Sequence, residues 1–392
     1  MRRFVPLLVL FAMARVADAA PCDQLPNPIY LQVGDTQLNL MKRLGRALRD
    51  NASKPITLVF VTSGSCTNIQ AIYTRVPITG NMQYVPSLTE NAAWNPSSPT
   101  LTCTAPGAGV VPDIANSALL NSACTTETPP ATVHLQQGPV QAYVMAVPVA
   151  SSQIAITYEE AYFVFGFGAA GMIAPWIDEA QLSIRTVTKS TLLAWGANIS
   201  VPADKWKGVR NDGSPAVVAA LQQSTSPEKA IGILGIEVAD ALRGSLRVLA
   251  FRAKGQRAAY YPDSTSTARD KQNVRDGHYT VWSPTIWMDT VDGSGTPVKP
   301  DARYVVDLIT GKPASPAPSF AAIDSIAAVG LVPDCAMGVT RSFEGGPLSI
   351  YKPAQSCVCR FENLVQSTSC QMCSPTQACT SGTCRDGFCE VQ

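Results

Sequence analysis

Two short polar turns hold the residues best suited to chemistry in this chain. One is Thr62-Ser63-Gly64-Ser65; the other is Arg185-Thr186-Val187-Thr188-Lys189-Ser190-Thr191. Each follows an apolar run and precedes residues at helical spacing. Such a turn leaves unpaired backbone N–H groups at the helix start, where the helix dipole adds positive potential. Ser63, Gly64 and Ser65 set two hydroxyls among those groups. Arg185, Lys189, Ser190 and Thr191 add a planar guanidinium, an ammonium and further hydroxyls. Both turns therefore have the composition of an anion cradle. Taken singly, each is equally an ordinary strand-to-helix junction, the first with Ser65 as N-cap. As a pair, one per lobe, they suit an oxyanion held in a cleft, because ligands of open α/β sheets bind outside the carboxyl ends of the strands.

The elements that position these turns alternate. Residues 56–61 form a β-branched and aromatic run that reads as a strand buried on both faces, and Ile69, Ile72 and Tyr73 follow at helical spacing. The same unit occurs earlier: a strand at 29–33 stops at Gly34-Asp35-Thr36. A helix through Leu38, Met41, Leu44 and Leu48 follows, capped by Asp35 or Thr36. A βαβα opening predicts a parallel sheet. Residues 80–106 read as a long irregular excursion. A strand at 109–114 comes next, flanked by Cys103 and Cys124, which are placed to pin that excursion. Further strands are expected at 140–149, 182–184, 231–236 and 246–251, with helices at 157–165, 191–197, 215–221 and 237–242. An extended run at 279–288 then crosses back, and residues 302–308 and 320–331 complete the first lobe. The expected organisation is two α/β lobes, 26–142 with 286–350 and 143–285. From Cys357 the texture changes: seven of the twelve cysteines fall after Ser356, with almost no aliphatic residues. Residues 357–392 thus read as a separate disulfide module, dispensable to the lobes.

Residues 1–19 have the pattern of a secretory signal peptide: Arg2 and Arg3, an apolar centre, and Ala17-Asp18-Ala19 as the cleavage site. Its removal takes away three positive charges and one negative, so a formal charge of +1 becomes −1. That balance argues against nucleic acid as a partner. No later stretch has the ~20 uninterrupted apolar residues of a membrane span. In an exported chain the even number of cysteines predicts disulfides rather than zinc, even at Cys370-x-x-Cys373. The G-x-G-x-x-G at 166–171 lacks the acidic residue that completes a dinucleotide site, and Ser226-x-x-Lys229 lacks the companions of a penicillin-binding site. The two histidines, His134 and His278, have no metal-ligand spacing. No nucleophile with a supporting base stands out, so a non-enzymatic protein without cofactor or metal is expected.

The two turns, together with PEKAIGILGIEVADALR and YYPDSTSTARDKQNVRDGHYTVWSP within 227–287, resemble the phosphate-binding proteins that serve ABC importers, of the type 2 periplasmic-binding superfamily. The resemblance spans roughly residues 28–331. It implies two α/β lobes joined by a hinge that close on phosphate or a related oxyanion, in a monomer located in the periplasm, secreted or at the cell surface. It also implies ligand contacts from Asp35, Thr36, Ser63, Gly64, Ser65, Arg185 and Thr191, and an ABC importer as partner. Two departures bear on the ligand. The family's R-x-x-x-S-G-T turn has Lys189 and Ser190 in place of Ser and Gly. The family's V-D-x-G-x-S-D segment ends in Ala118, so the carboxylate that accepts the proton of bound phosphate is missing. Beside this stands a second reading, an exported surface or interaction protein whose cleft is degenerate.

Overall fold

The computed structural model describes residues 20–365 and 368–391. The signal-peptide expectation lies outside them. The chain opens with β1 (Pro28–Gly34), α1 (Leu38–Arg49), β2 (Thr57–Ser63) and α2 (Ser65–Thr74). The excursion supplies β3 (Asn81–Tyr84) and β4 (Leu101–Thr104), followed by β5 (Ile114–Ser117) and a long strand β6 (Val133–Pro148). Next come β7 (Ala155–Thr157), α3 (Tyr158–Phe167), β8 (Leu182–Arg185), α4 (Ser190–Ile199), β9 (Val209–Asn211) and α5 (Ser214–Gln222). They are followed by β10 (Ile231–Gly235), α6 (Ile236–Ala241), β11 (Leu246–Val248), β12 (Ala250–Arg252) and α7 (Gln272–Arg275). β13 (Trp282–Thr290), α8 (Pro300–Thr310) and α9 (Ala322–Ala328) return the chain. A small hairpin of β14 (Val339–Thr340) and β15 (Ser349–Ile350), then α10 (Val358–Leu364), β16 (Thr383–Arg385) and β17 (Phe388–Glu390), end it.

One curled sheet carries the order β4-β3-β2-β1-β5-β13-β6-β10-β8-β9. Within it β2, β1 and β5 are mutually parallel, as are β10, β8 and β9. The antiparallel pair β6–β13 lies between the two parallel sets and joins them. The architecture is the expected mixed α/β fold with two lobes and a small disulfide-rich C-terminal module. One core packs Leu31 and Val33 against Met41, Leu44 and Leu48 of α1, with Leu58, Phe60, Tyr304 and Val305. The α1 residues recur at the three- and four-residue intervals that put them on one face. The other core surrounds Tyr143, Met145 and Val147 of β6 with Ile184, Trp195 and Ile233.

Several local expectations differ from the structure. The stretch 80–106 is not wholly irregular: β3 and β4 pair with each other, and β3 pairs with β2, so they extend the main sheet. The strand placed at 109–114 lies at Ile114–Ser117, because Gly107 and Gly109 have left-handed backbone (φ 48° and 103°) that bends the chain there. Cys103 and Cys124 do not act on the excursion together: Cys103 bonds Cys22 and Cys124 bonds Cys66. The run at 246–251 is two strands, because Leu246–Val248 pairs with β6 and Ala250–Arg252 with β7. No helix among the described residues is long and apolar enough to cross a membrane.

The C-terminal module is docked more firmly than its composition implies. Cys359–Cys370, Cys373–Cys384 and Cys379–Cys389 close within it, so Cys370 and Cys373 are half-cystines. Cys357 reaches back to Cys335, and Glu362 accepts from Arg275 at 3.0 Å. Phe361 of α10 is fully buried in the second core. Cys357 is buried in the same core, and Leu364 and Val365 pack against it. Phe361→Ala should lower stability by about 3–5 kcal/mol, read as a fall in the thermal midpoint of the oxidised protein. A chain ending at Ser356, which also leaves Cys335 unpaired, should fall at least as far. Unchanged midpoints would show the module to be independent.

Candidate functional site

β1, β2 and β8 all end at one rim, so the turns that follow them meet there. β1 delivers Asp35 and Thr36, β2 delivers Ser63 and Gly64, and Arg185 is the last residue of β8. Gly64, not Ser65, occupies the N-cap of α2, with extended backbone (φ −82°, ψ 150°) and no side-chain cap. The buried Ser65 hydroxyl instead accepts the backbone N–H of Ala118 at 3.0 Å. Asp35 and Thr36 do not cap α1 either. They form a 3-10 turn, and Gln37 stands at the cap position. The two polar turns touch: the N–H of Cys66 donates to the carbonyl of Thr188 at 3.4 Å. A Cβ at Gly64 would lie 2.7 Å from that oxygen, so this contact requires glycine.

Arg185 is fully buried. Its Nε donates to the carbonyl of Asn211 at 3.2 Å, and Nη1 to the hydroxyl of Ser214 at 2.8 Å. Its Nη2 donates to the carbonyl of Asp212 at 2.7 Å and to the Asp35 carboxylate at 2.6 Å. A buried cation needs such partners, since unpaired it would cost several kcal/mol. Asp35 thus bridges the cleft as the anion on Arg185. Lys189, also buried, turns away to Asp212 at 3.3 Å. The Thr191 hydroxyl is buried with no partner among the described residues, and Ser190 is buried beside it. Thr36 accepts from Gln37 at 3.4 Å, while Ser63 is half-buried at the strand end. The backbone of Ala118 is fully used, its N–H on Ser65 and its carbonyl accepting the Tyr143 hydroxyl.

Motif reading missed a buried polar chain that crosses between the lobes. The Gln37 amide donates to Gln141 Oε1 at 3.0 Å, and the Gln141 amide donates to a Glu237 carboxyl oxygen. Burial pushes the Glu237 carboxyl up to about 8, with Asp35 and Asp240 adding to the rise. The only sequence signal for it was an acid placed within the apolar run GIEVADA. A second missed residue is Glu344, at the tip of the β14–β15 hairpin. Its carboxylate accepts from the Leu120 N–H at 2.9 Å and from the Ser283 hydroxyl, while neighbouring Gly345 (φ 67°) packs on Ala197. The hairpin tip thereby straps both lobes.

Glu237 gives a pH dependence of known sign. Its folded value, about 8, lies above the ordinary 4.5, so the neutral form favours the folded state. That contribution is complete below about 4.5 and is lost as pH rises through 8. Its size is on the order of a few kcal/mol. Thermal midpoints measured from pH 5 to 9 should fall on the alkaline side for the native protein. They should stay flatter for Glu237→Gln.

No family model and no curated protein matches the sequence. Solved structures do match in fold. A Clostridium perfringens protein with bound phosphate, described as a phosphate ABC transporter substrate-binding protein, superposes with a TM-score of 0.54 at 13% identity. The match covers 78% of this chain and 99% of that one. A phosphate transport receptor from Vibrio cholerae aligns over 78% of this chain and 100% of its own, at 14% identity and a TM-score of 0.47. At such identities the likeness speaks to fold alone, and it is the first superposition that carries it. The chain has the two-lobe α/β fold of phosphate-binding proteins.

Proposed function

We propose that this is an exported, monomeric solute-binding protein, not an enzyme, that holds phosphate or a related oxyanion between its lobes and presents it to an ABC importer. In this reading the lobes are 26–142 with 286–350, and 143–285, and closure brings the two polar turns together around the ligand. The observation that carries it is the placement of Arg185: a buried guanidinium at the end of β8, bonded to Asp35 after β1, with an unpartnered Thr191 hydroxyl buried in the helix that follows. The contacting residues are Asp35, Thr36, Ser63, Gly64, Ser65, Arg185, Lys189, Ser190 and Thr191. With Ala118 where the family has a proton acceptor, anions without a proton are not discriminated against.

A specific observation favours the second reading, a surface or interaction protein with a degenerate cleft. The Asp35 carboxylate already lies on Arg185. An incoming anion must share or displace it, which weakens binding by like-charge repulsion.

Calorimetric titration with phosphate and with sulfate at fixed salt separates the two. Arg185→Ala should weaken binding about ten- to a hundredfold, the size of a lost charge-assisted contact. Asp35→Asn should tighten it, because the competing charge is gone while the hydrogen-bonding shape is kept. If neither the native protein nor Asp35→Asn takes up either anion at millimolar concentration, the degenerate-cleft reading stands. Binding that survives Arg185→Ala unchanged would place the ligand elsewhere.

A further inference from the structure

A cavity of about 750 Å³ opens between α1 and the excursion on one side and α6 and the 267–270 loop on the other. None of the residues of the two polar turns lines it, and it is far larger than one inorganic anion requires. Its volume falls in the range of sites for small organic ligands. We infer that this cavity is a second binding site, for an oxygen-rich organic anion held between Arg43 of α1 and Arg269 of the facing loop.

The unmet groups on its wall are mostly donors. The Arg43 guanidinium has no acceptor among the described residues. Arg269 gives one N–H, from Nη1, to the carbonyl of Asp240 at 2.6 Å, and the rest of its fork has no protein partner there. Glu237 also lines the cavity. It is almost wholly buried, and its Oε1 has no partner, while its other oxygen already accepts from Gln141. That oxygen is itself out of solvent reach, so the carboxyl shapes the wall without meeting a ligand, and burial, which raises its pKa, keeps negative charge off that wall. Asn39 supplies an amide nearby.

The acids in the wall, by contrast, are already engaged. Asp240 is paired with Lys271 at 2.7 Å and Arg243 at 2.5 Å. Asp270 accepts from the Ser264 N–H at 2.8 Å and hydroxyl at 2.5 Å. A cationic ligand would find these carboxylates occupied. A ligand with several acceptor oxygens and negative charge meets two open guanidinia. Two planar forks lining one cavity, from separate elements, suit a molecule carrying separated carboxylate or phosphate groups.

The probes are glucose 6-phosphate, an organic phosphate, and citrate, a polycarboxylate. Each is titrated calorimetrically into the full chain with inorganic phosphate held at 10 mM, roughly ten times a millimolar Kd. At least one probe should bind. Arg43→Ala and Arg269→Ala, both at exposed side chains, should each weaken that probe about tenfold or more. Arg185→Ala should leave it unchanged. Which probe binds distinguishes phosphate-bearing from carboxylate-bearing ligands. The inference is overturned if neither probe binds, if the double variant binds as well as the native protein, or if Arg185→Ala alone abolishes binding. Inorganic phosphate titrated alone into the same variants reports on the cradle separately, so failure of either site is seen independently of the other.

Discussion

A guanidinium buried to zero exposure fixes the rest of the site around it. Arg185 stands at the end of a parallel strand, out of reach of water, so its donors must find acceptors within the protein. Two backbone carbonyls and a serine of its own lobe satisfy part of the fork, and a further bond is made across the cleft to Asp35. That pair ties the rim of one lobe to the other. It also sets the electrostatic terms on which an anion enters, since the position complementary to Arg185 is already negative.

The two lobes are held together by contacts of different kinds. Gly64 permits the backbone of the first turn to lie against Thr188, where any side chain would collide. The amide chain Gln37–Gln141–Glu237 passes through β6 and ends in a carboxyl that burial keeps neutral. The hairpin tip carrying Glu344 bridges from Leu120 to Ser283 and Ala197, and its base is held by the Cys335–Cys357 disulfide. Most of these contacts are polar and directional.

The C-terminal module and the fold beneath it are also coupled. Phe361 lies in the same core as Trp195 and Met145, and the second core further takes in Ala327, Val332 and Met337. The large cavity between α1 and α6 has Leu364 and Val365 of this same segment in its wall. The tail is therefore built into the surroundings of the interlobe region.

Much of the fold was legible because periodicity is local. The runs that became β1, β2, β8 and β10, and the apolar stripe of α1, carry their own pattern, and so did the polar turns after β2 and β8. The position of Arg185 at a strand end, before a hydroxyl-rich helix start, was readable for the same reason. What the residues do with their hydrogen bonds was not local. Asp35 has the composition of a helix cap, yet it pairs with an arginine 150 positions away. Cys103 and Cys124 flank one strand, yet each bonds a cysteine far earlier in the chain. Glu237 and Glu344 look like ordinary acids until the other lobe buries them. The sequence by itself determined where most of the longer strands and helices run and where the two polar turns lie. Only the tertiary structure decided which charge faces which, because pairing and desolvation depend on distances that residue spacing does not contain.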